Sequence, residues 1–399
     1  VGVDQAEDLV FPLALVFVVG AVFAAMIRVV VIWLTSRVAV VAGSDLGAQA
    51  YERTLYQSYA THVDRNTSDV TSGLLHKVEA VVSGMLLPIQ LVVGSLFTIV
   101  TVTLALFLID PAVAAVAILI FGSGYIAITS AFRGRLKRNS QRVARESTLM
   151  VKAIQEGIGG IRDILIDGTQ AVFLDQFRRS DRQLRSTIGS NNVIQQAPRA
   201  VMEGLGMVLI AMLAMALNGR PDGITNQLPV LGALVLGGQR LLPIYQQCYY
   251  AVTAILGNRA AIGEVLDMLD QPMPPTYGLP PPAPLDLQTG ISCEQLRFRY
   301  DEKGPWVLDG LDLTIDKGTW VGLVGTTGSG KSTLLDLLMG LLVPVEGAVL
   351  VDGQVPNGSY LRAWQQSIAH VPQHIFLADV SIAENIAFGA PADSLDMDC

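Results

Sequence analysis

Cysteine is scarce in this chain of 399 residues: only Cys248, Cys293 and Cys399 are present, with no metal-ligand spacing. That excludes a disulfide-stapled scaffold and a thiolate zinc site, and leaves the three as incidental thiols of a reducing compartment. Charge is scarce too. Asp, Glu, Lys and Arg make up 16% of the residues against 51% hydrophobic, with a mean hydropathy of +0.46, too apolar for a soluble protein of two or three domains. A basic excess is lacking altogether. The formal net charge of −8 lies wholly in residues 291–399, where 6 basic residues face 14 acidic ones, while residues 1–290 hold 21 of each. That balance argues against a nucleic-acid partner. The chain begins at Val1 rather than Met and has no signal-peptide arrangement, so the simplest expectation is an N-terminus cut short.

Long apolar runs are what the chain does have. Five are long enough to cross a bilayer, which takes about 20 residues each: Leu9–Leu34, Met85–Ile109, Ala112–Phe132, Ala200–Leu217 and Gln227–Leu256. Asp110-Pro111 makes a tight turn between the second and third, and the loop from Asn218 to Gly223 joins the fourth and fifth. Residues 132–199 carry 13 Lys or Arg against 6 Asp or Glu, whereas the segments on the other side hold Arg220 alone. The positive-inside rule therefore puts 132–199 in the cytoplasm, and the fifth span ends there as well. Five spans leave the N-terminus outside, so one further span upstream is expected.

Proline is absent from 37–84 and 133–197, where charged and apolar residues alternate at helical spacing. The helices are thus expected to run well past the membrane and turn back near Asp64–Ser68 and at Asp167-Gly168-Thr169. Such tips either dock on a soluble domain or form solvated hairpins. Arg28, Glu203 and Arg240 fall in or near spans. They face a cavity or partner, or sit at the interface with the charge turned to water.

Gln271–Pro275 and Pro280–Pro284 mark a semi-rigid linker over 271–289. Beyond it, short strand-like runs at Gln295–Tyr300, Leu311–Ile315, Val321–Val324 and Ala348–Val351 are punctuated by turns, as in an α/β domain. Within it, Gly325, Thr326, Thr327, Gly328, Ser329, Gly330, Lys331, Ser332 and Thr333 fit the phosphate-binding pattern G-x-x-x-x-G-K-[ST]. The flanks suit it: Trp320–Val324 predicts a buried strand and Leu334–Met339 an apolar-faced helix. Such a loop turns successive backbone N–H groups, and the positive end of a helix dipole, toward one point. Lys331 is placed to reach the β- and γ-phosphates and the Ser332 hydroxyl to sit on Mg²⁺. Tyr300 either stacks on the adenine of ATP or is an ordinary strand-end tyrosine.

The order Phe298-Arg299-Tyr300, phosphate loop, Gly347–Gly353, His370-Val371-Pro372-Gln373 and Ser381–Ile386 resembles that of an ATP-binding cassette (ABC) exporter. In that family a helical transmembrane domain (here 1–270) is fused ahead of an α/β P-loop cassette (290–399, incomplete). Asn66–Asp69, Ile161–Ile164 and Pro198-Arg199 look most like the flippases of lipid-linked oligosaccharides and related cyanobacterial exporters of polysaccharide precursors. The resemblance implies that Tyr300 stacks on adenine and that Gln373 helps hold Mg²⁺ and water. The tips near 59–69 and 167–177 would rest on the cassettes as coupling helices. It also implies a dimer with a second such chain, in a bacterial inner membrane with the cassettes in the cytoplasm. ATP would drive alternating access for a lipid or lipid-linked substrate. No Leu-Ser-Gly-Gly-Gln signature, Asp-Glu strand or switch histidine follows Gln373. No catalytic glutamate is therefore assigned, and the chain is expected to be a piece of a larger translocase. Export of peptides or drugs is an alternative in the same class, and a non-hydrolysing, nucleotide-gated membrane regulator one in another. A membrane-anchored kinase or GTPase is disfavoured, since no guanine-reading Asn-Lys-x-Asp motif is present.

Overall fold

The computed structural model describes residues 10–389 apart from 66, 110, 112–114, 116–117, 219–227 and 374. The expected turn at Asp110, the loop after Asn218, the start of the third span and Cys399 lie outside the described residues. The chain divides into two compact units, 1–274 and 275–399.

The first unit is helical. Helix α1 (Val10–Leu55) carries an apolar stretch that is exposed along its whole length, from Phe11 to Leu34, broken by the single charge of Arg28. A short helix, α2 (Tyr59–Asp64), follows, capped by the Ser58 hydroxyl accepting from the Thr61 N–H. Residues 67–109 form one interrupted helix, α3. Its α-helical segments Thr67–Ser72, Val78–Val81 and Leu87–Ile109 are joined by π-helical turns at Gly73–Lys77 and Val82–Leu86. Two long helices, α4 (Ser123–Gly159) and α6 (Gln170–Asn218), flank the short α5 (Ile161–Asp167). Helix α7 (Leu228–Leu269) packs against α3, α4 and α6. Two helical stretches among the described residues, Phe11–Leu55 and Thr67–Leu108, are long and apolar enough to cross a membrane. The fourth and fifth expected spans lie within α6 and α7.

The first expected tip holds the short helix α2. At the second, glycines set off the short α5 (Ile161–Asp167), and a fresh helix starts at Gln170 after the expected break at 167–169. Gly160 ends α4, and Gly168 takes the left-handed conformation (φ +65°) that closes α5 with its N–H on the Ile164 carbonyl.

The core of this unit gathers Leu106, Phe121, Tyr125, Met202, Leu241 and Tyr249. Beside it α6 passes through Pro198, which has no N–H to give the carbonyl one turn earlier. That carbonyl, of Ile194, instead accepts from the Tyr249 hydroxyl at 2.7 Å. The next, of Gln195, accepts from Gln246 Nε2 at 2.9 Å, and Gln246 Oε1 accepts from the Tyr125 hydroxyl at 2.9 Å. Three helices thus meet beside the carbonyl that a proline leaves unpaired.

The second unit is a sheet with a helix against it. Strands β1 (Gly290–Phe298), β2 (Leu308–Asp316) and β3 (Glu346–Val351) form an antiparallel sheet in the order β2-β1-β3. Cys293 pairs with Leu313 on one side and Val349 on the other. Helix α8 (Lys331–Leu338) lays Leu334, Leu337 and Leu338 on Cys293, Leu296, Phe298 and Val349. Helix α9 (Gly358–Gln366) closes the end of α8, where buried Trp364 donates its indole N–H to the Leu338 carbonyl at 2.9 Å. A capping box of Ser381 and Glu384 starts α10 (Ile382–Ile386).

Three of the four expected strands form. The fourth does not: Val321–Val324 has no regular structure and pairs with no strand among the described residues, and Trp320 and Val324 are almost fully exposed. An apolar run becomes a strand only when a neighbour takes its N–H and C=O groups, and no such neighbour lies alongside.

Candidate nucleotide-binding site

The loop before α8 is shaped by two left-handed glycines, Gly328 (φ +84°) and Gly330 (φ +85°), the second being the N-cap of α8. At Gly330 a Cβ would sit 3.0 Å from both the Val307 carbonyl oxygen and Leu308 Cδ2, at the start of β2. Backbone conformation and space both demand glycine there. Between them, Ser329 N–H bonds to the Thr326 carbonyl at 3.2 Å and draws the loop into a turn. Thr326, Thr327, Gly328 and Ser329 are exposed, so the N–H groups of the loop and of the first turn of α8 open to solvent.

Lys331 opens the helix and folds back over the loop. Its ammonium donates to the carbonyls of Gly325 at 2.9 Å and Thr326 at 2.7 Å, and to Ser329 Oγ at 3.2 Å. A flexible cation held against the loop carbonyls at the N-terminus of a helix suits a site for a chain of phosphates. Ser332 is exposed beside it, while Thr333 points inward and is buried.

Tyr300 lies two residues beyond β1 rather than within it. Its hydroxyl bonds Thr333 Oγ1 at 3.1 Å, and its ring meets that of Phe298 edge-on at 5.0 Å. The ring is 56% exposed, so one face is available while the hydroxyl ties it to the phosphate-loop helix. Sequence reading missed Thr333 as the residue that orients Tyr300; its place directly after Ser332 was the available signal. The structure thus brings Tyr300 and the loop together. Gln373 is exposed, and among the described residues no hydrogen bond joins it to Ser332 or to the loop.

Of the three charges near spans, Glu203 has a partner one turn earlier, Arg199 Nε at 2.8 Å. Arg28 is exposed on α1, and the Arg240 side chain lies outside the described residues. Cys293 is buried in the sheet, and burial raises its thiol pKa to about 11, so it stays protonated at neutral pH.

A fused helical unit with a long apolar surface and a P-loop α/β unit defines a nucleotide-dependent membrane protein. The family model of the ABC transporter transmembrane region matches residues 2–217, more than half of the chain, and that of the ABC transporter matches 308–398. The chain belongs to the ABC transporter family. It is 29% identical over 277 residues to the ATP-dependent lipid A-core flippase of Alkalilimnicola ehrlichii, covering 68% of this chain and 46% of the relative. With the flippase of the same name from Ralstonia nicotianae the identity is 26% over 366 residues, covering 88% and 59%. The leukotoxin translocation ATP-binding protein of Mannheimia glucosida is 31% identical over 228 residues, covering 54% and 31%. In fold, the chain is similar to a bacterial Atm1-family ABC exporter solved with ATP bound, with a TM-score of 0.70 at 17% identity, covering 92% of this chain and 63% of that one. The chain spans about half the length of the curated relatives it matches.

Proposed function

We propose that this chain is the membrane unit and leading cassette portion of an ATP-driven exporter that flips an amphipathic, lipid-linked glycan from the cytoplasmic leaflet outward. The observation that carries the reading is the phosphate loop, with Lys331 folded over Gly325 and Thr326, on a chain whose other unit is sheathed in exposed apolar helix. The names of the flippase relatives support a lipid substrate.

In this reading the loop from Gly325 to Thr333 holds the phosphates and Tyr300 packs against the adenine. The Ser332 hydroxyl and the Gln373 amide oxygen are hard oxygen donors of the kind Mg²⁺ takes, and Ser332 is exposed beside Lys331 in the first turn of α8, which fits that ion. Mg²⁺ would neutralise phosphate charge; the chain's own part is to bind and orient the nucleotide. The tips at α2 and α5 would rest on cassettes of a dimer in a bacterial inner membrane, with the linker taken over 271–289. Exposed apolar residues on α5, Ile161, Leu165 and Ile166, support a docking role for the second tip.

The test is transport by the full-length protein in proteoliposomes. A short fluorescent lipid-linked glycan should flip in an ATP-dependent way and raise ATP turnover. If it does neither while a peptide does both, the substrate is a peptide, the reading that the leukotoxin-translocating relative supports. If nucleotide binds but neither substrate moves, the nucleotide-gated regulator is the better account.

A further inference from the structure

On the cytoplasmic side of the helical unit, an open cleft of about 560 Å³ lies between α3, α4 and α7, with Asp69, Lys137, Arg145, Arg259 and Asp267 exposed along it. Its buried cation, Lys77, is 6% exposed and already compensated by an ion pair with Glu264. Three further cations line the wall: Lys137, Arg145 and Arg259. None has an ion-pair partner among the described residues, although Asp69 and Asp267 line the same cavity. The two signs are therefore presented apart, three cations against two carboxylates once the Lys77–Glu264 pair is set aside.

That arrangement selects among ligands. Arginine and lysine together hold a phosphate oxyanion well. A bare phosphate, however, would meet two carboxylates that repel it. Carboxylates accept from hydroxyl groups, and Ser140, Gln141 and Thr148 add further polar groups to the same wall. A molecule carrying both a phosphate and several hydroxyls satisfies the whole set. A nucleotide fits less well, because no aromatic ring lines the cavity for a base to stack on.

We infer that this cavity binds a glycosyl phosphate, its phosphate on Arg145, Arg259 and Lys137 and its hydroxyls on Asp69 and Asp267. The inference rests on the reading of the chain as an exporter of lipid-linked glycans, and it gives the phosphorylated head group a docking point in the cytoplasmic extension of the helices.

Calorimetric titration of the purified protein in nanodiscs tests it, with glucose 1-phosphate, glucose and inorganic phosphate as probes, and a farnesyl-diphosphate-linked disaccharide as the lipid form. Glucose 1-phosphate should bind more tightly than inorganic phosphate or glucose. Arg145→Gln/Arg259→Gln should weaken it at least tenfold, Arg145→Lys/Arg259→Lys should restore much of the loss, and Asp69→Asn/Asp267→Asn should weaken the sugar phosphate but not inorganic phosphate. An unchanged helical circular-dichroism spectrum and thermal midpoint of each variant in nanodiscs show that its helical unit is folded. Equal binding by wild type and Arg145→Gln/Arg259→Gln, or inorganic phosphate binding as tightly as the ester, overturns the inference. Competition between the soluble ester and the lipid form identifies the head group as the source; binding of the soluble ester alone identifies a free metabolite. If wild type binds the ester but flips no glycolipid, the exporter reading fails and the cavity stands. If flipping is ATP-driven but the ester does not bind, the cavity assignment fails by itself.

Discussion

The two units differ in what they turn toward their surroundings. In the cassette unit, α8 puts Leu334, Leu337 and Leu338 inward against the sheet and keeps its polar first turn outside. In the helical unit, α1 shows Phe17, Phe23, Val30 and Trp33 to its surroundings, while inside the bundle the Tyr125 hydroxyl donates to Gln246 Oε1 and the Tyr249 hydroxyl to the Ile194 carbonyl. An apolar residue is driven out of water but gains nothing by leaving lipid, so each unit records the solvent it was built for. The difference also says where each draws its strength: the cassette from apolar packing, the bundle from close-fitting helices and hydrogen bonds between them.

The comparison is broken most severely by Leu296→Ala in the cassette. Leu296 is fully buried between sheet and helix, so the variant should lose about 2–5 kcal/mol to lost transfer energy and the cavity left behind. Chemical unfolding of the cassette checks it, and a loss below about 1 kcal/mol would mean that this core can collapse. Next is Val30→Asp on α1, which should cost about 3 kcal/mol of insertion if that face meets lipid. Val343→Asp in the cassette, where Val343 is even more exposed, should be tolerated within about 0.5 kcal/mol. Equal tolerance at both sites would show that α1 faces water.

Lys331→Ala separates the units by function. ATP affinity should fall on the order of 100-fold, as expected for loss of a charged group that binds phosphate, while membrane insertion is untouched. Wild-type affinity would remove Lys331 from the site.

Much of this was legible in the chain. The glycine loop, three strands and the breaks in the long helices each follow from local chemistry: glycine where φ is positive, alternation where a sheet has two faces. What was not legible depends on partners. Val321–Val324 has the composition of a strand but, among the described residues, no neighbour to pair with. The π-helical turns in α3 leave no mark on its hydrophobic period. The bond from Tyr300 to Thr333 joins residues 33 apart. The turn at Asp167-Gly168-Thr169 was legible, whereas the separate short helix Ile161–Asp167 ahead of it was not.

Two smaller effects sharpen the contrast. Tyr249→Phe strands the Ile194 carbonyl inside the bundle and should cost about 1–2 kcal/mol, with faster hydrogen exchange in α6 around Pro198. Unaltered exchange would mean that water substitutes for the hydroxyl. Smallest is Asp352→Asn. The Asp352 carboxylate accepts from the backbone N–H groups of Gln288, Thr289 and Gly290 and from the Thr289 hydroxyl, and these bonds, led by that from Gln288, hold its pKa well below the usual carboxylate range. A depressed pKa stabilises the fold in full above about pH 4, and the contribution is lost as pH falls further through the folded value. The variant should therefore unfold at a lower temperature at pH 7, with the gap to the parent narrowing below about pH 4. A constant gap would mean that the charge is not what matters.

The Pro198 site also constrains the order in which its residues could be acquired. With an ordinary residue at 198, the Ile194 carbonyl is served by its own helix and the Tyr249 hydroxyl is dispensable. With proline there, the same hydroxyl is the group that covers it. A lineage could gain tyrosine first and proline second without crossing a less stable intermediate; the reverse path passes through a buried orphan carbonyl. Once proline is fixed, position 249 is no longer free to drift, although no codon at 198 records why.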